Sequence, residues 1–368
     1  MTEKKQSLAA QSPSQNLQQT RHYRIVALPG EGIGPEVVEA SLAILRALAT
    51  QFGFTLTIDR ALIGEPARQH CGHPLPPETL TLCEGSDGIV FGAVTKGGLL
   101  ELRKHFDLFI NLRPVRPSPS LLAASPIKAD RLQNVDLLFV RELVSGIYFG
   151  PAKRKAESGF HTMRYTDAEI RRIAKVALQH AQHRRQHLVV AHKENALPHL
   201  PWSQLVSAEA QHFPDVTVTP MLVDNLAMQL VTRPGDFDVI LAGNLFGDIL
   251  SDLGGAIAGS IGLLGSASLN ATGFGMYEAV HGTAPDIAGK GIANPLGTLA
   301  GIVLMLQQWG EQPAAQRLID IQENLLALGY RTPDLQKQLG QGGQNSSQQK
   351  IVTTDEFVNL FLAQIKSQ

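Results

Sequence analysis

Short apolar runs alternate with segments of helical periodicity along most of the chain. HYRIVALPG is an apolar run stopped by Pro29 and Gly30. PEVVEASLAILRALATQF follows with helical spacing of its apolar positions and with Pro35 in its first turn. FTLTIDRALI reads as a strand, TLTLCEG as a short helix and DGIVFGAV as a strand. LLELRKHF then reads as a helix and LFINLRPVRP as a strand. DLLFVREL predicts another buried strand, and TDAEIRRIAKVALQHAQHRRQ predicts a long amphipathic helix with Thr166 as its N-cap. HLVVAHK, TVTPMLV and FDVILAG predict three more strands, each followed by a helical segment. Such alternation predicts an α/β fold with a largely parallel sheet.

The chain has 368 residues, which predicts two domains or one large α/β unit. A formal net charge of −1 provides no field suited to nucleic acid or an anionic membrane, so neither is expected as a partner. Cys71 and Cys83 form neither a metal-ligand spacing nor a disulfide framework, which fits a reduced, cytoplasmic compartment. No apolar run reaches the roughly 18 residues of a membrane span. Residues 1–21 are polar, lack the apolar stretch of a secretory signal and predict a disordered tail. A second polar stretch, from Gln336 to Lys350, predicts a surface loop before a final helix.

Chemistry concentrates in a few places. Asp248 and Asp252 in GNLFGDILSDLGG share one helix face, and Asp224 precedes them in MLVDNLAMQLV. Like charges so placed repel unless a cation lies between them, and carboxylates are preferred ligands of hard cations such as Mg2+ or Mn2+. The plainer alternative is a solvated helix face. GEGIGPE, from Gly30 to Glu36, follows a strand and opens a helix, but its spacing is G-x-G-x-G and not that of a dinucleotide fingerprint. It reads as a tight structural turn. HGTAPDIAGKGIANP, from His281 to Pro295, has the composition of a binding loop.

Taken together, GEGIGPEVV, FINLRPVR, FVRELVSGIYFG, HKENAL, VDNLAMQLV, GNLFGDILSD and YEAVHGTAPDIAGKGIANP resemble the β-decarboxylating dehydrogenases, and most closely their isopropylmalate-type branch. The resemblance runs from about Tyr23 to the C-terminal helix. It implies a two-domain α/β fold that is not a dinucleotide-binding Rossmann fold. One domain would take residues 22–108 and 262–368 and hold the cofactor; the other would take residues 109–261 and form a homodimer. The reaction implied is oxidation of a 3-substituted malate by NAD, followed by loss of CO2 and reprotonation of the resulting enolate. In the branch resembled, the substrate is 3-isopropylmalate and the reaction belongs to leucine biosynthesis.

The resemblance also implies roles. Arg103, Arg113 and Arg141 would grip the substrate carboxylates, for which a planar guanidinium fork is well matched. Leu99 and Leu100 would wall the alkyl group. Lys193 would be the base, a role suited to a side chain whose pKa falls readily on burial. Tyr148 would protonate the enolate. Asp248 and Asp252 would hold the metal with Asp224 of the other subunit, where Asp224 also meets the substrate, and Lys193 would likewise cross over. The cofactor would rest on His281, Gly282, Thr283, Ala284, Pro285, Asp286 and Ile287, with Glu278, Asn294 and Asp334 in support. Asp286 would accept the ribose hydroxyls and repel a 2′-phosphate, favouring NAD over NADP.

Some positions depart from the branch's pattern. Only TKGG links DGIVFGAV to the Leu99 helix, where a longer insertion is usual. Ala196 replaces Val, His192 replaces Asp, Glu31 replaces Asp and Gly265 replaces Pro. The short loop and Ala196 both predict room for substituents larger than isopropyl. Lys96 carries the competing reading, a charged substituent as in homoisocitrate. A non-catalytic regulatory member would have lost Tyr148, Lys193 or a metal aspartate, and all are present.

Overall fold

The computed structural model describes residues 21–336 and 349–367. The expected tail, but for Arg21, lies outside the described residues, as does most of the loop expected between Gln336 and Lys350.

The chain begins with β1 (Arg21–Gly30), α1 (Gly34–Phe52), β2 (Phe54–Arg60), α2 (Glu65–Cys71) and α3 (Pro77–Glu84). Next come β3 (Gly88–Ala93), α4 (Leu99–His105), β4 (Ile110–Val115) and β5 (Leu137–Glu142). A small exposed hairpin, β6 (Ala152–Arg154) and β7 (Gly159–His161), precedes α5 (Asp167–Gln182). Three strand–helix pairs follow: β8 (His187–His192) with α6 (Trp202–Ala210), β9 (Thr217–Leu222) with α7 (Val223–Thr232), and β10 (Val239–Ala242) with α8 (Asn244–Ala258). After β11 (Gly265–Leu269) and β12 (Gly275–Ala279) come α9 (Leu296–Gln308), α10 (Gln312–Ala327), β13 (Tyr330–Arg331), α11 (Pro333–Gln336), β14 (Lys350–Ile351) and α12 (Thr354–Lys366).

Ten strands form one sheet in the order β2-β1-β3-β12-β11-β4-β5-β10-β8-β9. The two flanks are parallel, but β12–β11, β11–β4 and β4–β5 pair antiparallel. The sheet is largely parallel, as expected, with these antiparallel pairings at its centre. GSASL and GMYEA escaped the strand reading because they are short segments buried throughout, without the alternation of a half-exposed strand. One flank comes from both ends of the chain and the other from its middle, and they meet at β11–β4. Across that seam the buried Asn111 amide donates to Ser266 Oγ at 2.7 Å and Ser268 Oγ at 3.2 Å.

Strand alternation sorts the core into layers. Ile25 and Ala27 point to a large cluster under α1, α5, α6, α9, α10 and α12. Val26 and Leu28 point to the other face, into a smaller cluster that includes Leu102 of α4. A third cluster, with Phe139, Leu226 and Leu250, lies beneath α7 and α8. Helix α1 alone buries Val37, Val38, Leu42, Ile44, Leu45 and Leu48, each worth about 1.5–3 kcal/mol of transfer free energy. The cleft described next opens between α4 and α8.

The predicted turns and caps take the expected form. Gly30 and Gly32 have φ of 69° and 61°, and a Cβ on either would stand 2.0 Å from the carbonyl oxygen of Ala93 or Thr283. GEGIGPE is thus a tight turn that locks the end of β3 and the 281–295 loop together, as Ile33 N–H donating to Thr283 O at 2.9 Å also shows. Thr166 and Glu169 form a reciprocal capping box at the start of α5.

Candidate active site

β4 and β5 pair with Arg113 opposite Phe139 and Asn111 opposite Arg141. That register puts both arginines on the face covered by α8, and Arg103 reaches the same place from α4. Arg103, Arg113 and Arg141 are 7%, 6% and 2% exposed. Charges so buried need partners. Arg103 Nη2 donates to Glu278 Oε1 at 2.9 Å. Arg113 Nη1 donates to Ser251 Oγ at 2.7 Å and Asp252 Oδ1 at 3.2 Å. Arg141 Nη1 donates to Asp248 Oδ1 at 2.6 Å. Local ion pairing therefore exists, yet it leaves the Nε–H groups of Arg103 and Arg113 buried without an acceptor. Burial first, and then the charge of Arg113, pull the Arg141 pKa down; a guanidinium stays charged, so a further anion relieves that cost.

These groups line a cavity of about 330 Å³ with Leu99, Leu100, Tyr148, His281 and Gly282. Leu100 is 40% exposed, and with Leu99 it forms an apolar edge beside the arginines. The TKGG link reaches α4 through Gly97 and Gly98 at φ of 80° and 88°. A Cβ on Gly98 would meet Pro74 O at 2.8 Å, so the short link is seated and not slack. Tyr148 lies in a one-turn segment, Gly146–Tyr148, and its Oη donates to Asp248 Oδ2 at 3.0 Å. Burial foremost, and Asp248 after it, raise the Tyr148 pKa and keep it a proton carrier. Gly146 has φ of 76°, and a Cβ there would stand 2.2 Å from Tyr165 Oη.

The carboxylates fit a divalent cation in chemistry but not in number. Asp248 and Asp252 project from one face of α8, and Asp252 takes a hydrogen bond only at Oδ1 among the described residues. Burial first, and the Asp248 charge besides, raise the Asp252 pKa against the opposing pull of Arg113. A cation between the two would lift that penalty. No three His, Cys, Asp or Glu side chains form a metal-holding group among the described residues. Three guanidiniums face three carboxylates, giving zero net charge. A bound divalent cation would leave the cleft two positive charges, matched by a malate dianion.

Asp224 and Lys193 stand apart from this cleft and line neither it nor its neighbour. Lys193 Nζ donates to Asp224 Oδ1 at 2.6 Å, and that bond, before all else, lowers the Asp224 pKa. Asp224 sits in the first turn of α7 and is 63% exposed at its side chain. Lys193 instead borders a small apolar pocket with Tyr165, Leu197 and Trp202.

A second cavity, of about 420 Å³, adjoins the first across His281. Ala284, Asp286, Ile287, Asn294 and Asp334, expected at the cofactor, line it, with Ile33, Ser260, Ile261, Gly262, Ile292 and Pro333, which the sequence had not pointed to. The isoleucines suit the faces of a flat base and the carboxylates suit ribose hydroxyls. Asp334 accepts from Ser260 Oγ at 2.8 Å, Asn294 Nδ2 at 3.0 Å and Thr332 Oγ1 at 2.6 Å. His281 Nε2 is buried with no partner, and burial foremost lowers its pKa, so the neutral ring is favoured. These features fit a dinucleotide. Glu278 and Gly282 belong to the first cavity instead, and Thr283 and Pro285 line neither. Thr283 holds the glycine turn through its carbonyl.

The family model described as isocitrate/isopropylmalate dehydrogenase matches residues 24–361. The chain belongs to that family. It is a β-decarboxylating dehydrogenase in fold and in class. A protein from Halalkalibacterium halodurans named 3-isopropylmalate dehydrogenase is 45% identical over 350 residues, 90% of this chain and 95% of that one. Another of that name, from Aquifex aeolicus, is 43% identical over 86% of this chain and 92% of its own. Among solved structures, isocitrate dehydrogenase from Methylococcus capsulatus superposes with a TM-score of 0.82 at 29% identity, covering 94% of this chain and all of that one. A β-decarboxylating dehydrogenase from Thermococcus kodakarensis gives 0.74 at 31% identity, covering 94% of this chain and 96% of that one. Asn244 and Glu142, which the sequence had not pointed to, support the site from behind and do not line it.

Proposed function

We propose that the chain oxidises and decarboxylates a 3-substituted malate with NAD and Mg2+ or Mn2+, and that 3-isopropylmalate is its substrate, in leucine biosynthesis. The observation that carries this reading is the convergence of Arg103, Arg113, Arg141, Tyr148 and Asp248 on one cavity edged by Leu99 and Leu100. Isocitrate would need a polar partner for a third carboxylate where the two leucines stand. The relatives named 3-isopropylmalate dehydrogenase support the same choice.

The arginines bind the two carboxylates and orient the hydroxyl-bearing carbon. A divalent cation, when bound by Asp248, Asp252 and Asp224 of a second copy, supplies Lewis acidity at the substrate oxygen. The second cavity would hold NAD, which would supply the hydride acceptor. Lys193 of the second copy, as the neutral amine, accepts the hydroxyl proton and becomes an ammonium, whose charge Asp224 then pairs. Once CO2 has left, Tyr148 Oη gives its proton to the enolate carbon while Asp248 orients the phenol. Asp286 favours NAD because a 2′-phosphate would meet a carboxylate.

A homodimer fits this division of labour. Met228 and Val231 of α7 and Ile249 of α8 are exposed by 56%, 46% and 59%, an apolar face on the helices that carry the three aspartates. The division into a cofactor domain (residues 22–108 and 262–368) and a dimerisation domain (residues 109–261) is part of the same proposal, with the seam at β11–β4 as its support. No helix among the described residues is long and apolar enough to cross a membrane, and the proposed place of action is the cytoplasm.

The test is kcat/KM for 3-isopropylmalate, 3-benzylmalate, homoisocitrate, isocitrate and tartrate. The 3-alkylmalates should lead, and Ala196→Val should narrow the range toward isopropyl, a difference of about 1–3 kcal/mol between neighbouring substituents. Homoisocitrate ahead of every 3-alkylmalate, with that lead lost in Lys96→Met, would assign the charged substrate instead.

A further inference from the structure

Asn244 is fully buried, lines neither cavity, and spends its whole side chain on two functional segments. Its Oδ1 accepts from Arg141 Nε at 3.2 Å and from Nη2 at 2.7 Å. That two-pronged grip fixes the plane of the guanidinium and leaves Nη1 for Asp248 and the cavity. Its Nδ2 donates to the carbonyl oxygens of Leu143 and Ser145, each at 2.9 Å. Those two residues run directly into the Gly146–Tyr148 turn. The backbone N–H of Asn244 donates to Tyr165 Oη at 2.7 Å, and that same oxygen closes the space above Gly146.

We infer that Asn244 is a positioning residue that sets the carboxylate anchor Arg141 and the proton donor Tyr148 against one another. The inference rests on the functional reading above, which gives Arg141 and Tyr148 those roles. Two acceptor contacts face one way and two donor contacts the other, so only a carboxamide satisfies both sides. A carboxylate of the same shape would set a negative oxygen against two carbonyls and would neutralise Arg141. An alanine would leave a guanidinium and two buried carbonyls without partners. A purely structural tie between β5 and α8 is the competing account, and it predicts lost stability without selective loss of substrate binding.

The experiment compares wild type with Asn244→Ala and Asn244→Ser, the smaller polar change serving if the alanine variant does not fold. KM for 3-isopropylmalate should rise roughly tenfold or more while KM for NAD stays within about twofold. Hydrogen exchange across residues 143–150 should speed up while exchange in α1 and α9 stays as in wild type. In an Arg141→Lys background, Asn244→Ala should add less than about twofold to the substrate KM, because the two act as a unit. An unchanged substrate KM, or effects that multiply in the double variant, would overturn the inference. A wild-type protein that turns over no 3-substituted malate would overturn the functional reading; the exchange measurement then still decides, with unchanged exchange at 143–150 refuting the positioning role.

Discussion

Tyr148 and Lys193 rest on different carboxylates, Asp248 at 3.0 Å and Asp224 at 2.6 Å, so the two proton-transfer steps proposed for them should be separable. Tyr148→Phe should leave hydride transfer partly intact and slow reprotonation, seen as a burst of NADH followed by slow turnover. Lys193→Met should abolish the burst itself, with kcat down by about 100-fold or more for lack of a base. Both variants within a few-fold of wild-type kcat would remove these assignments. Arg113 and Arg141 were legible in the sequence because an arginine in FINLRP or FVREL has no inexpensive reason to be buried, whereas the roles of Tyr148 and Lys193 came only through family likeness. Asn244, Ser260 and Ile33 were not, since an ordinary amide, hydroxyl or aliphatic chain gains its role only from what the fold sets beside it.

Strand β5 ends in Glu142, which is fully buried and accepts from the N–H groups of Val144 at 3.3 Å and Ser145 at 3.0 Å. Burial foremost pushes its pKa up from an ordinary 4.5 to about 7. A carboxyl held higher when folded than when unfolded stabilises the fold below the unfolded value and loses that contribution as pH rises through the folded one. The wild type should therefore lose on the order of 3 kcal/mol from this group between about pH 4.5 and 7. Glu142→Gln should flatten that part of the stability curve, read from denaturant midpoints at pH 5 and pH 8. An identical pH slope in both proteins would show that Glu142 ionises freely. Among elements, the apolar runs that became β1, β3, β5 and β10 were readable because each holds an unbroken run of at least four buried residues. β11, β12 and the β6–β7 hairpin were not. The first two are short and buried throughout, and the hairpin is exposed throughout, so neither carries a hydrophobic period.

Across the whole molecule, Lys193 and Asp224 belong to neither cavity of their own chain, whereas α7 and α8 expose an apolar face beside them. In the proposed homodimer each catalytic site would be built from two copies, and complementation should reveal it. Lys193→Met and Asp248→Asn homodimers should each be nearly inactive. Exchange of subunits between them should restore about a quarter of wild-type activity, because half of the dimers are mixed and each mixed dimer holds one intact site. No recovery despite proven exchange would place Lys193 and Asp248 in the same chain's site. The paired ends of the chain around its middle were foreseen only through family likeness, since no local pattern announces that β11 will meet β4. The central claim is that Asp248 and Asp252 hold a cation that couples oxidation to decarboxylation. The measurement that tests it is NADH and CO2 formed together from 3-isopropylmalate, with Mn2+ and after exhaustive EDTA treatment. One CO2 per NADH, activity lost in EDTA and restored by Mn2+, and little rate with NADP would agree with the account; full activity in EDTA, or NADH formed without CO2, would contradict it.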